Sequence, residues 1–167
     1  GVLKVVNRVF PAKVAYAHCD IPCGIYDPHQ AQLAALTVIR MNQLIQALAR
    51  PGADASAGEW QAYNASLSRY VAVKEQHAEL CKHELRVLWG DYFRPEHIQQ
   101  HPDLHERFFN AMKLASRSRQ QNDMAAAQQL LGAVQGIAEI FWATKGARVS
   151  RQPSRQGAAG GELVYPA

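Results

Sequence analysis

Apolar residues recur every three or four positions along most of this chain, and that spacing constrains the fold more than any other feature of the sequence. The pattern covers residues 28–48, 56–88, 102–116 and 122–141, and a connection is predicted at residues 90–95. No stretch alternates apolar and polar residues with the period of two that marks a half-buried strand. Four amphipathic helices joined by short links pack as an antiparallel four-helix bundle, so the predicted fold class is all-α.

Residues that start helices support the first two of these assignments. Asp27 is a predicted N-cap, with Pro28 in the first helical position and Gln30 three residues after the cap. Ser56 and Glu59 have the spacing of a capping box at the start of the second helix.

The chain divides into a leader at residues 1–17, the bundle at residues 18–145 and a tail at residues 146–167. Charged residues interrupt the apolar part of the leader, so it is a poor secretory signal although Ala15-Tyr16-Ala17 resembles a cleavage site. A detachable leader of another kind fits better. The tail is rich in Gly, Arg and Ser and is predicted to be disordered.

The net charge of +4 comes from the two ends of the chain. Residues 1–17 and 146–167 together hold six basic residues and one acidic residue, which leaves 12 basic and 13 acidic residues between them. A nucleic-acid-binding domain needs a basic face on its folded body, so we expect no nucleic-acid partner. No apolar run approaches the roughly 20 residues that span a bilayer, so we also expect no membrane partner.

His18, Cys19 and Cys23 place one imidazole and two thiols within six residues of a loop. Soft thiolates with nitrogen donors suit nickel, copper or zinc. A structural zinc site usually needs a second pair of ligands, which is missing nearby. A cut after Ala17 would free an α-amine that could form a square plane with the Cys19 amide nitrogen and both thiolates, as nickel(II) or copper(II) prefers. A loop with two ordinary thiols is an equally good interpretation of the spacing.

Two other functions stay open for this cluster. A non-catalytic nickel- or copper-binding protein could use the same donors. A dithiol redox protein could use Cys19 and Cys23 as its active pair, although their spacing is one residue longer than Cys-x-x-Cys and no strand pattern suggests a thioredoxin-like scaffold.

The run from His18 to Pro28 resembles the nickel hook of nickel superoxide dismutases, and "the hook" denotes residues 18–23 below. The resemblance continues in short blocks: Lys74-Glu75-Gln76, Ala78-Glu79-Leu80, Val87-Leu88-Trp89, Asp91-Tyr92-Phe93, His97, Pro102, Leu104-His105 and Ile140-Phe141-Trp142-Ala143-Thr144-Lys145. It implies an enzyme that converts two superoxide anions to oxygen and hydrogen peroxide by nickel(II)/nickel(III) cycling. It also implies a cytoplasmic homohexamer of four-helix bundles and a protease that removes the leader.

The resemblance assigns roles to five residues. His18 would bind one nickel ion per subunit through its amine and imidazole, Cys19 through its amide nitrogen and thiolate, and Cys23 through its thiolate. Tyr26 and Tyr92 would gate the vacant face of the metal and position the superoxide anion.

The sequence departs from the family pattern at two positions near the metal. In the family, a glutamate on the first helix holds the hook imidazole and pairs with an arginine on the second helix. Counting along the chain places Ala34 and His77 at these positions, so both partners are replaced together. Because such partners orient a metal ligand and tune the metal, we expect altered redox tuning rather than loss of nickel.

Several further residues have two interpretations. Arg69, Lys82 and Arg94 are candidates for steering the superoxide anion, but ordinary solvated surface is at least as good an explanation for each. Cys81 lies in an apolar helical pattern and is predicted to be a core residue. A second metal site is not favoured at three histidines spaced by four residues, because Pro102 interrupts a helix through them; they are His97, His101 and His105.

Overall fold

The computed structural model describes residues 24–167, so the predictions for the leader and for His18, Cys19 and Cys23 lie outside the described residues. The helices are α1 (His29–Ala47), α2 (Ala57–Val87), α3 (Pro95–Gln100), α4 (Leu104–Gln120) and α5 (Met124–Thr144). A π-helical turn (Leu88–Tyr92) joins α2 to α3, and strands β1 (Val149–Pro153) and β2 (Glu162–Pro166) follow α5.

The four long helices form the predicted bundle. Helix α1 packs against α2 and α5, and α4 packs against the same two helices, so the four surround one core. The largest apolar side chains of this core are fully buried: Leu85, Leu104, Phe108, Leu130, Ile137 and Phe141. The all-α four-helix prediction is therefore confirmed. Within residues 24–167, none of the helices combines the length and apolar character that a membrane crossing requires.

Of the two predicted helix starts, the one at Ser56 is correct. Glu59 N–H donates to Ser56 Oγ at 3.3 Å, and Ser56 N–H donates to Glu59 Oε2 at 2.7 Å, which completes a capping box. Asp123 Oδ1 accepts the Ala126 N–H at 2.9 Å at the start of α5. At α1, Asp27 Oδ1 accepts the His29 N–H at 2.6 Å. The helix there begins one residue later than predicted, and Gln30 does not complete a box within the described chain.

Lys74, in the block Lys74-Glu75-Gln76 that resembles the family, has a structural role. Its side chain is buried between helices, and Nζ donates to the Gln121 carbonyl oxygen at 2.7 Å and to Asn122 Oδ1 at 2.9 Å. Burial disfavours the ammonium ion and lowers the pKa of Lys74. Lys74 thus fixes the link between α4 and α5 against α2, which is a structural role.

The tail predicted to be disordered is instead an ordered antiparallel hairpin. Strands β1 and β2 pair with Ser150 opposite Tyr165 and Gln152 opposite Leu163. Leu163 and Val164 are both buried, although they are adjacent in sequence. Because these two neighbouring residues are both buried against the bundle, β2 lacks the alternation of apolar and polar residues that would reveal a strand. The prediction of disorder for residues 146–167 is wrong for this reason.

The side chain of Gln32 on α1 binds the main chain of the hairpin. Ladder bonds such as Ser154 N–H to the Gly161 oxygen (2.9 Å) leave the main chain of Val164 pointing away from β1. The Gln32 side chain fills this gap: Nε2 donates to the Val164 oxygen at 3.1 Å, and Oε1 accepts the Val164 N–H at 2.7 Å. Gln135 adds a bond from Nε2 to the Glu162 oxygen at 2.7 Å.

The turn before β2 requires glycine at position 161. Gly161 has φ +74°, which favours glycine, and a Cβ there would lie 3.1 Å from Leu36 Cδ2. The hairpin can therefore approach α1 closely only because this residue has no side chain.

Candidate metal centre

Tyr26 and Tyr92 lie side by side next to the segment that leads from the hook into α1. Their ring centroids are 5.5 Å apart with the rings tilted by 56°. Tyr26 precedes α1, whereas Tyr92 ends the π-helical turn, in which the Phe93 N–H donates to the Leu88 oxygen at 3.0 Å. The widened turn is a frequent feature of functional sites. The two residues predicted to act as a gate are thus brought together from distant parts of the sequence.

The environment of Tyr92 fixes both its ring and its hydroxyl group. Its ring packs against Phe141 at a centroid distance of 4.5 Å and stacks on His97 at 5.7 Å. Thr144 Oγ1 donates its only hydrogen to the Phe141 oxygen at 2.7 Å. The Tyr92 hydroxyl, 2.7 Å from Thr144 Oγ1, must therefore be the donor in that pair.

Lys145 is a cation at the tyrosine pair that the sequence reasoning did not propose for steering. Its Nζ lies 5.5 Å from the Tyr92 ring centroid and 4.9 Å from that of Phe141. The lysine caps the carboxyl end of α5, where a positive charge is stabilised by the helix dipole and by the aromatic rings. Its place in the block Ile140–Lys145 was the available signal, since Phe141 and Thr144 in the same block contact Tyr92.

The three predicted steering residues lie in different settings. Lys82 Nζ donates to Ser116 Oγ at 2.9 Å, so it connects α2 to α4. Arg69 lines a cleft of about 220 Å³ with Tyr70 elsewhere on α2. Of the three, Arg94 has its main chain near the tyrosines: its backbone N–H donates to His97 Nδ1 at 3.2 Å, and the His97 ring stacks on Tyr92.

Ala34 and His77, the two departures from the family pattern, face the same cleft between α1 and α2. This cleft has a volume of about 370 Å³. Ala34 is 2% exposed, and His77 Nδ1 lies 2.9 Å from the Val73 oxygen one turn earlier on α2. The family resemblance placed a contacting pair of residues at positions 34 and 77, and the structure does bring these two positions to one cleft. The other residues lining the cleft are His29, Gln30, Leu33, Thr37 and Leu80.

A second cleft, of about 620 Å³, lies between the start of α1, the end of α5 and β2. Nδ1 of His29 and Nε1 of Trp142 are buried in its lining with no hydrogen-bond partner among residues 24–167. The His29 ring packs against Tyr165 of β2 at a centroid distance of 5.6 Å. The hairpin thereby contributes to the surroundings of the segment that follows the hook.

The remaining candidates have structural roles. His97 stacks on Tyr92, and His105 Nδ1 accepts the Trp89 Nε1–H at 2.8 Å. No group of three His, Cys, Asp or Glu side chains that could hold a metal is present in the described part of the chain. Cys81 is fully buried, and burial raises the pKa of its thiol to about 12, so it is the predicted core residue.

The predicted donors of the hook suit nickel chemically. Two thiolates with an imidazole and main-chain nitrogens match the preference of nickel for nitrogen and sulfur in a square arrangement. The tyrosine pair and the two clefts adjoin the residues that directly follow this donor set.

Comparison with known proteins identifies the family of the chain. The sequence model of the nickel-containing superoxide dismutases matches residues 13–145. The superoxide dismutase [Ni] of Streptomyces coelicolor is 37% identical over 142 residues, and that of Streptomyces seoulensis is 40% identical over 145 residues. Each alignment covers 84% of this chain and 98% of the relative.

Solved structures agree with the sequence comparison. The native structure of a nickel superoxide dismutase superposes with a TM-score of 0.66 at 36% identity, covering 78% of this chain and 100% of that chain. A nickel-containing superoxide dismutase with ligation corresponding to the oxidised state gives 0.63 at 38% identity with the same coverage. The chain belongs to the nickel-containing superoxide dismutase family and is a nickel-dependent oxidoreductase that acts on superoxide.

Proposed function

We propose that this chain dismutates superoxide at one nickel ion per subunit held by the hook after the leader has been removed. His18 would bind through its α-amine and imidazole, Cys19 through its amide nitrogen and thiolate, and Cys23 through its thiolate. The observation that carries the proposal is the Tyr26–Tyr92 pair beside the chain that follows the hook. The bound metal supplies a one-electron nickel(II)/nickel(III) couple, which thiolate and amidate donors bring into the range of superoxide.

The residues of the described chain control access to this centre. Tyr26 and Tyr92, with ring centroids 5.5 Å apart, would flank the approach to the metal and position the superoxide anion. Tyr92 keeps its hydroxyl proton directed at Thr144, so its oxygen presents lone pairs, as an acceptor, to water on the other side. Lys145 adds positive charge at the Tyr92 ring, beside the approach of the anion.

Removal of the leader is the direct test of the proposal. Nickel-loaded protein that begins at His18 is expected to accelerate superoxide decay, measured by pulse radiolysis or stopped-flow spectroscopy. Protein that keeps residues 1–17 is expected to be inactive, because the nitrogen of an internal His18 is an amide. Trimmed protein that binds nickel without accelerating the decay would favour a non-catalytic nickel- or copper-binding protein instead.

Replacing Lys145 with glutamine is expected to lower kcat/KM for superoxide about two- to fivefold at low ionic strength, a small part of what a complete steering field provides. The difference should shrink as salt is added, because salt screens the charge of the exposed ammonium group. Lys113→Gln is the matched control, since Lys113 also lies over a phenyl ring, that of Phe109, 5.2 Å away. Equal rates for the two variants at every salt concentration would remove Lys145 from the steering role.

The homohexamer, the leader-removing protease and the cytoplasmic location stay predictions. Light scattering on trimmed, nickel-loaded protein measures the first. Sequencing the amino terminus of the protein isolated from cells shows whether the chain has been cut before His18.

A further inference from the structure

The hairpin of β1 and β2 lies beyond residue 145, where the match to the family sequence model ends. Its role therefore has to be inferred from its own contacts. Strand β2 packs on both α1 and α5, and the turn before β2 packs on α1. The hairpin is thus seated on the bundle along the helix that follows the hook.

The contacts between β2 and α1 follow the first two turns of the helix in order. They join the rings of Tyr165 and His29, the main chain of Val164 to the side chain of Gln32, and Gly161 to Leu36. Residues 29 and 36 are seven positions apart, which is about 10 Å along a helix, and residues 161 and 165 are four apart, about 13 Å along a strand. Because these two lengths agree, β2 lies along the amino-terminal part of α1.

The start of α1 has few local bonds of its own. Pro28, the residue before the helix, makes no side-chain capping bond, and the first turn contains no acidic residue to interact with the helix dipole. The Asp27 carboxylate satisfies one free N–H, that of His29, at 2.6 Å. Helix ends of this kind fray unless another element packs on them. The Tyr165 ring, on His29 at a centroid distance of 5.6 Å, is placed to prevent this.

Fraying of this helix end would also move Tyr26. Tyr26 lies three residues before His29, and its ring packs on that of Tyr92 at a centroid distance of 5.5 Å. The neighbours of Tyr26 in the chain, Ile25 and Asp27, line the same cleft as Tyr165. The position of the Tyr26 ring therefore depends on a segment that the hairpin covers.

We propose that Tyr165 is a positioning residue: through His29 it fixes the start of α1 and so keeps the Tyr26 ring against Tyr92. The effect on catalysis rests on the proposed function, in which the two tyrosines flank the approach to the metal. The contact itself does not depend on that function and is measurable without nickel.

The first test compares Tyr165→Ala with Tyr165→Phe in the full chain by nuclear magnetic resonance. Tyr165 is only partly buried, so both variants are expected to fold. Tyr165→Ala should speed hydrogen exchange of the Gln32 and Leu33 amides about 10-fold and weaken the nuclear Overhauser contact between the rings of Tyr26 and Tyr92. Tyr165→Phe keeps the ring and should match the wild type in both measurements.

The second test measures dismutation by trimmed, nickel-loaded protein. Tyr165→Ala should keep its nickel but lower kcat/KM for superoxide about 10-fold. This is less than the roughly 100-fold that a fixed misplacement can cost, because Tyr26 would still visit its native position. Tyr165→Phe should retain the wild-type rate.

Val38→Ala is the control for a general loss of stability. Val38 is fully buried on α1 beyond the turns that β2 covers. This variant should speed exchange of core amides but leave the Tyr26–Tyr92 contact and the dismutation rate unchanged.

The outcomes separate this inference from the function on which its catalytic part rests. An unchanged ring contact in Tyr165→Ala, or an equal loss of it in Val38→Ala, would show that Tyr165 does not position Tyr26, although the enzyme assignment stands. A weakened contact with an unchanged rate would remove Tyr165 from the reaction. Wild-type trimmed protein without nickel or without dismutation would instead overturn the proposed function, whereas the measurements on the full chain would stand.

Discussion

Serine in place of Cys19 or Cys23 is expected to abolish high-affinity nickel binding and to lower superoxide dismutation by at least about 100-fold. Loss of a residue that only hydrogen-bonds a metal ligand lowers metal affinity or activity about 10- to 100-fold, and we expect loss of a ligand itself to lower them further. A hydroxyl group is a hard, neutral donor at neutral pH, so it would neither replace the thiolate as a nickel ligand nor stabilise nickel(III). Metal analysis and pulse radiolysis on the same trimmed samples measure both effects.

Cys81 provides the matched control for these substitutions. Cys81→Ala should keep one nickel per subunit and the wild-type rate, because this thiol is fully buried in the bundle and its raised pKa, about 12, keeps it protonated. The expected cost is about 1 kcal/mol of folding stability from the small cavity. Nickel retained at full occupancy in both hook variants would show that the metal has other ligands.

Replacing Gln32 with alanine is expected to destabilise the fold by about 2–4 kcal/mol. The substitution removes both hydrogen bonds to Val164 and leaves a buried N–H and a buried carbonyl without partners, each worth roughly 1–3 kcal/mol. Gln32 and Val164 are 0% and 1% exposed, so water cannot easily replace the lost contacts. Urea unfolding followed by circular dichroism measures the free energy of unfolding.

An exposed glutamine on α5 is the control. Gln128→Ala should change the free energy of unfolding by no more than about 0.5 kcal/mol, as surface substitutions usually do. If Gln32→Ala costs no more than Gln128→Ala, the hairpin does not depend on this side chain.

The bundle could be predicted because its signals are local. Helical spacing of apolar residues places each helix, and Ser56 with Glu59 fixes the start of α2 through a bond that closes within four residues. The pairing of Tyr26 with Tyr92 followed from the family resemblance, since their separation in sequence gives no physical signal of contact. His77 and Ala34 were placed together by the same comparison.

Other features could not be predicted because they depend on distant packing. The hairpin has few apolar residues, and its stability depends on Gln32 and Gln135, whose polar side chains read as surface positions in their helices. In the sequence, Lys145 is only a charged residue at the end of a helix, so its contact with the Tyr92 ring could not be predicted. The widened turn at Leu88–Tyr92 replaces a predicted plain connection, because burial of Leu88 and the packing of Tyr92 on Phe141 prolong helical geometry there.

The bond between Gln32 and β2 also bears on association between chains. A two-stranded sheet has free edges, and an exposed edge invites a strand from another molecule to add to it. By donating to and accepting from the same residue, the Gln32 amide mimics the peptide group of a neighbouring strand. The outer edge of β2 is thus already occupied by Gln32 at Val164 and by Gln135 at Glu162, so side chains of the bundle oppose strand-to-strand aggregation through it.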